Sequence, residues 1–325
     1  MAGTSDWLWR VSTRGTSLVL VLLVGFIIVG LPSNRAAVAR TLEVGPDKAY
    51  KAPSLAAADA KDGDHILIGP GEYFDCTVWQ ANNLVIEGSG PDAKAIITDK
   101  TCQGKAIFVI AGNDTTVRNL TLTRARVPDM NGAGIRMEGR NLTIEAVKFI
   151  NNQDGILGGG PGSRLIVHDS QFLQNGICAK YCAHGIYAGE VDLLRVEHSR
   201  FFETWQGSHV KSRGLRTEVI GCDIADGTNG TSSYLIDVSN GGSLVVRDNM
   251  LEKGPRAENH TTAISIGAEG VTHPTHEIVI ENNKFSNDGD YPTVFVRNST
   301  ATPAILRGNK LTGRATALTG DGSAE

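Results

Sequence analysis

The chain has 325 residues, 41% of them hydrophobic, with 38 glycines, only 6% aromatic residues and a formal charge of -4. This apolar content suffices for a substantial core, and many glycines with few aromatics suit a repetitive β protein rich in turns. No Lys/Arg-rich run accompanies the weak negative charge, so nucleic acid is not an expected partner.

Arg10 and Arg14 precede an apolar run from Leu18 to Leu31, and Ala37-Val38-Ala39 supplies a small-x-small cleavage pattern. Residues 1–39 therefore read as a signal peptide, or as an uncleaved anchor, since the run is shorter than the roughly 20 residues a spanning helix needs. Either reading places residues 40–325 in the periplasm or outside the cell, with membrane contact only through the N-terminal segment. Five cysteines would then meet an oxidising environment, which leaves at least one unpaired. Cys178 and Cys182 could close a tight loop and Cys76 could reach Cys102, but connectivity stays open at this stage. Cys222 falls at an interior repeat position and reads as a small buried hydrophobe.

Ser54 to Lys61 has the composition of a short helix with Ser54 as its cap, followed by Asp62-Gly63-Asp64, the strand-like His65-Ile66-Leu67-Ile68 and the turn Gly69-Pro70-Gly71. From residue 115 one pattern recurs eight times: an apolar residue or Thr, an aliphatic two places on, and Phe, Leu or Ile seven places on. It runs from Thr115, Val117 and Leu122 to Ala304, Leu306 and Leu311, at spacings of 23 to 34 residues. Ser170, Ser199, Cys222, Asn249, Asn283 and Asn309 stand two residues before the last position, where a tight bend is needed. A second column runs through Ile107, Ile135, Ile156, Ile186, Val210, Ile236, Ile264 and Val294, about half a repeat away. Short β segments punctuated by Gly, Asn and Asp, with no long 3.6-residue periodicity, predict a parallel β-solenoid whose stacked windings share one interior. We expect eight or nine windings over residues 40–313, a short capping helix at the N-terminal end, and a flexible tail over 314–325.

The windings, the Ala-rich cap with Asp62-Gly63-Asp64 and Gly69-Pro70-Gly71, and the N-terminal segment together resemble the exported right-handed parallel β-helix proteins of the pectate-lyase-like superfamily. The resemblance covers residues 41 to about 313 and implies an all-β, single-stranded right-handed coil with three sheets. It also implies a polysaccharide as partner, because this scaffold carries pectin and alginate lyases, epimerases, esterases and glycosidases, and it leaves the reaction open.

Period two along the second column puts Tyr187, Lys211 and Asp237 on the outer face of consecutive windings, about 4.8 Å apart. His184 and His209 lie near them in sequence, Arg213 and Arg216 follow Lys211, and Arg136 stands in the same column further down. An acid, a base and a cation in one file meet the needs of uronate chemistry: the cation neutralises the sugar carboxylate, the base removes the C5 proton, and the acid protonates the far side or the leaving oxygen. By resemblance to alginate lyases and epimerases, Lys211 or His209 would be the base and Tyr187 the acid. Arg213 or Arg216 would hold the carboxylate, with Arg136 and His184 as further substrate-binding groups and Asp237 as a fourth catalytic candidate. The chain departs from that pattern in lacking an Asp-Pro-His motif and in presenting Asp237 where Lys/Arg-dependent β-helix lyases commonly carry Arg. The protein is expected to be a monomer, and an alternative to catalysis is a glycan-binding or structural envelope protein that holds an acidic glycan without changing it, or a solvated Lys211–Asp237 pair with no function.

No cofactor is expected. Asp288-Gly289-Asp290 offers carboxylates to Ca2+, but ordinary turns use the same residues. Pro274 bars a regular helix through His273 and His276, which argues against zinc there. Asn-x-Ser/Thr triplets at Asn113, Asn119, Asn141, Asn229, Asn259 and Asn298 follow from the composition of a turn-rich solenoid.

Overall fold

The computed structural model describes residues 39–325, so the segment read as a signal peptide or anchor lies outside the described residues. Each winding contributes up to three short strands, one to each of three parallel sheets of twelve, ten and ten strands. The coil is right-handed, the usual hand for parallel crossovers.

The eight-fold repeat is the register of two of these sheets. In the first, Leu142 pairs with Thr115 and Leu165, and Ile144 with Val117 and Val167. In the second, Phe149 lies between Leu122 and Phe172. The remaining copies keep the same alignment up to Leu306 and Leu311. The third sheet stacks Ile135, Ile156, Ile186, Val210, Ile236 and Ile264. Its ends depart from the predicted column, for Phe108 and not Ile107 pairs with Ile135, and Val296 and not Val294 with Ile264. Apolar residues at neighbouring and alternate places in both strands left that choice of register open.

The coil makes about eleven windings, more than the eight or nine expected. The early ones escaped the pattern because their first corner is longer: Val117 to Leu122 spans five residues, whereas Ile66 to Tyr73 spans seven and Ile86 to Ile97 eleven. Past residue 313 the expected flexible tail instead carries the strands Ala315–Thr319 and Gly322–Ala324, which pair with Thr293–Asn298 and Ala304–Arg307. Their small polar residues hide the strand pattern, since main-chain bonds to the previous winding hold them.

The capping helix α1 spans Pro53–Asp59 and packs on Thr41–Val44 and Thr77–Trp79, the first strands of the first and third sheets. Ser54 is inside the helix and does not cap it. Pro53 takes a first-turn position, and the carboxylate of Asp75 accepts the Ser54 N–H at 2.8 Å.

Inside the coil, Phe149, Phe172 and Phe201 stack with centroids 4.7 and 4.5 Å apart. Gly134 and Gly155 leave room for them, since a Cβ on either would stand 2.7 Å from a Phe149 or Phe172 ring carbon. At the corner between the first two sheets, Asn249, Asn283 and Asn309 each accept the backbone N–H of the equivalent residue one winding earlier. Ser170 and Ser199 do the same lower in the ladder, and the bend residues therefore satisfy buried main chain as well as turning it. Disulfides join Cys76 to Cys102 and Cys178 to Cys182, a pairing that fits an oxidising compartment. Cys222 is free and buried, its thiol pushed up to about 12 chiefly by burial.

Candidate functional site

The outer face of the third sheet carries the predicted file. Tyr187 pairs with Lys211 and Lys211 with Asp237 on the consecutive strands Ile186–Ala188, Val210–Ser212 and Ile236–Val238. Arg136 belongs to the same file two windings below Tyr187, with Leu157 between them. Together these residues line a cleft of about 670 Å³, walled in part by Tyr181 and Cys182 of the disulfide-closed hairpin Ile177–Cys178 and Cys182–Ala183.

The charges in the cleft are paired. Lys211 Nζ donates to Asp237 Oδ2 at 2.8 Å and to Glu269 Oε1 at 2.6 Å. Arg213 donates through Nε to the Tyr187 hydroxyl at 2.8 Å, and also bonds Asn240 and the second oxygen of Glu269. Both cations approach the Tyr187 ring, at 5.8 Å for Lys211 and 5.7 Å for Arg213. Burial alone would lower the Lys211 ammonium, but Asp237 and then Glu269 outweigh it, and Lys211 is held above its ordinary pKa. A lysine so held is a fixed cation, which removes the ground for expecting it to act as the free base.

His209, the other expected base, points into the coil. It precedes its strand at a bend, where period two no longer applies, so both His209 and Val210 are fully buried. The aromatic stack ends beside it at Phe201, and its ring turns edge-on to Phe201. There it bonds Thr204 at 2.8 Å and Asp226 at 2.9 Å. Arg216 is also displaced, because it starts the first-sheet strand Arg216–Ile220 and pairs with Glu218 and Glu277 away from the cleft.

His184 does line the cleft, with its ring edge-on to Tyr187 at 5.1 Å. Burial first, then the nearby Lys211 charge, lowers it to about 3, so the ring stays neutral. Its Nδ1 accepts the Ser208 N–H at 2.9 Å, which puts the ring proton on Nε2. Below it, Asp154 accepts the His184 N–H at 2.7 Å through Oδ1, while Oδ2 is buried without a partner. Burial raises this carboxyl to about 8. Sequence reasoning missed Asp154, although stepping back two residues from Ile156 and Ile186 aligns it with His184. Glu269 was missed for another reason: it comes from a loop, where no register points to it. Among the described residues no group of three or more His, Cys, Asp or Glu converges as a metal site.

The alginate lyase of Paenibacillus sp. str. FPU-7 superposes with a TM-score of 0.62 at 16% identity, over 88% of this chain and 99% of that one. The pectin methylesterase of Aspergillus niger superposes at 0.51 and 10% identity, over 86% of this chain and 91% of that one. ORF18 of Geobacillus virus E2 gives 0.52 at 14% identity, over 82% of this chain and 56% of that one. Comparison with curated proteins gives no match. At these identities the likeness establishes the coil alone. Residues 73–249, more than half of the chain, match the family described as the right handed beta helix region, and the chain belongs to that family.

Proposed function

We propose that the cleft binds an anionic, uronate-bearing polysaccharide and acts on it by proton transfer at C5, as a lyase or a C5-epimerase. The observation that carries this reading is the contact of Arg213 with Tyr187, beside a Lys211 on the next winding. A guanidinium donating to the phenol oxygen stabilises negative charge on it, so Tyr187 in its ionised form takes the C5 proton. Once protonated, it gives that proton to the leaving glycosidic oxygen in elimination, while in epimerisation water reprotonates C5 from the opposite face. Lys211 and Arg213 face the sugar carboxylate and lower the cost of the carbanion that forms beside it. Asp237 fixes the Lys211 ammonium, and the neutral His184 offers Nε2–H to a sugar oxygen. Arg136 extends the file to a neighbouring sugar. The alginate lyase among the similar structures supports a uronate polymer as the first substrate to test.

A second reading, retention of the glycan without turnover, is favoured by one observation: Lys211 is ion-paired and His209 is interior, so neither expected base is free. One experiment separates the two. Purified protein is mixed with alginate, pectate and glycosaminoglycans, and unsaturated product is followed by ultraviolet absorbance and C5 exchange by NMR in D2O. Turnover by the wild type, reduced at least about 100-fold in Tyr187→Phe with binding retained, is expected from loss of a general acid–base group. Binding without product in either form selects retention. Absence of both binding and product removes the glycan reading.

A further inference from the structure

The geometry points to the Glu269 carboxylate as an internal stand-in for the substrate: it occupies a carboxylate-binding subsite formed by Lys211 and Arg213, and a uronate must displace it to bind. This inference rests on the cleft being the glycan site.

Glu269 is the one carboxylate in this cluster that comes from a loop, after the strand Thr262–Ile266. One of its oxygens bonds Lys211 Nζ at 2.6 Å and the other bonds the Arg213 guanidinium. A single carboxylate thus bridges two cations that converge on Tyr187, the position in which the proposed chemistry needs the sugar carboxylate. The carboxylate of a hexuronate has the same planar pair of oxygens, so it can replace Glu269 contact for contact.

Exposure separates Glu269 from Asp237. The Glu269 side chain is 44% exposed against 5% for Asp237, which is also fixed within a strand. Glu269 can release its contacts to water by rotating its side chain, whereas Asp237 has no such route. The charges agree with this division. Within the cluster around Tyr187, Lys211 and Arg213 balance Asp237 and Glu269, with Arg136 further along the cleft, and removal of Glu269 leaves one more cation uncompensated for the incoming anion. A neutral sugar has no carboxylate to exchange for Glu269, so its binding should not depend on whether Glu269 is present.

The test compares wild type with Glu269→Gln and Glu269→Ala by calorimetric titration with tri-galacturonate, tri-mannuronate and the same trisaccharides with their carboxyl groups reduced to alcohols. Both variants should bind at least one acidic trisaccharide about three- to tenfold more tightly than wild type, with the reduced sugars unchanged. Unchanged or weaker binding of the acid by both variants overturns the inference, and so does an equal gain for the reduced sugar, which would show steric relief. A second arm does not depend on the polymer: Glu269→Ala crystals soaked in acetate or D-galacturonate should show a carboxylate between Lys211 Nζ and the Arg213 guanidinium. An empty position there overturns the subsite. A bound simple carboxylate with no oligouronate binding by any form keeps the subsite and removes the polysaccharide reading instead.

Discussion

Asp154 is a carboxyl group enclosed with one oxygen unpartnered, and its protonation state links the cleft floor to pH. Burial raises it from the ordinary 3.8 to about 8, so the folded protein keeps a proton that the unfolded chain has already lost across that range. The native state therefore binds more protons, and the Asp154 contribution to stability is full below the ordinary carboxylate pKa and is lost as pH rises through about 8. The limiting slope is about 1.4 kcal/mol for each pH unit crossed. His184 acts in the opposite sense: it is lowered from 6.5 to about 3, so its contribution is lost as pH falls through that window. Comparing wild type with Asp154→Asn isolates the first effect, since the amide oxygen can still accept the His184 N–H. Urea midpoints measured from about pH 5 to pH 8 should fall less steeply in the variant than in wild type. Parallel profiles for the two proteins would mean that Asp154 is not held protonated.

At the level of elements, the stacked rings of Phe149, Phe172 and Phe201 form a column on the second sheet in which Phe172 leans on both of the others. Phe172 sits in the middle, buried on all sides, and Gly155 beside it allows no compensating side chain without a clash. Phe172→Ala should cost about 3–5 kcal/mol by leaving a cavity between two aromatic neighbours. Exposed Lys284→Ala, on the same sheet, should change stability by less than about 0.5 kcal/mol. Denaturant titration of both variants checks the contrast, and a Phe172→Ala loss near that of Lys284→Ala would show that the column is loosely packed. This column was legible in the sequence because burial on one face and a fixed corner length repeat together. Where either condition lapses, legibility lapses too. His209 was misplaced because a bend at the start of its strand ends the alternation, and Ile107 because its neighbour Phe108 is equally buried. The Tyr187, Lys211 and Asp237 file was readable from strand register, whereas the Glu269 contact depends on a loop path that no periodicity encodes.

For the whole molecule, a solenoid spreads stability over contacts between neighbouring windings, so a crosslink matters according to the windings it joins. Cys76 and Cys102 flank the first strands of the third sheet, at the end where α1 packs, and close a loop with a sequence separation of 26. Cys178 and Cys182 are separated by only 4 and close a hairpin on the cleft wall, outside the three sheets. Chain entropy assigns about 3.5 kcal/mol to the first crosslink and about 2 kcal/mol to the second. Their locations should separate the consequences further. The Cys76→Ser/Cys102→Ser double variant should open the first windings ahead of the rest, seen as faster hydrogen exchange in residues 41–110 with protection retained beyond residue 140. The Cys178→Ser/Cys182→Ser variant should keep that exchange pattern. It should instead raise KM for any glycan turned over, because Tyr181 no longer has a fixed position on the wall. Equal acceleration of exchange along the entire coil in the first variant would show that the windings unfold as one unit, with no local role for the terminal crosslink.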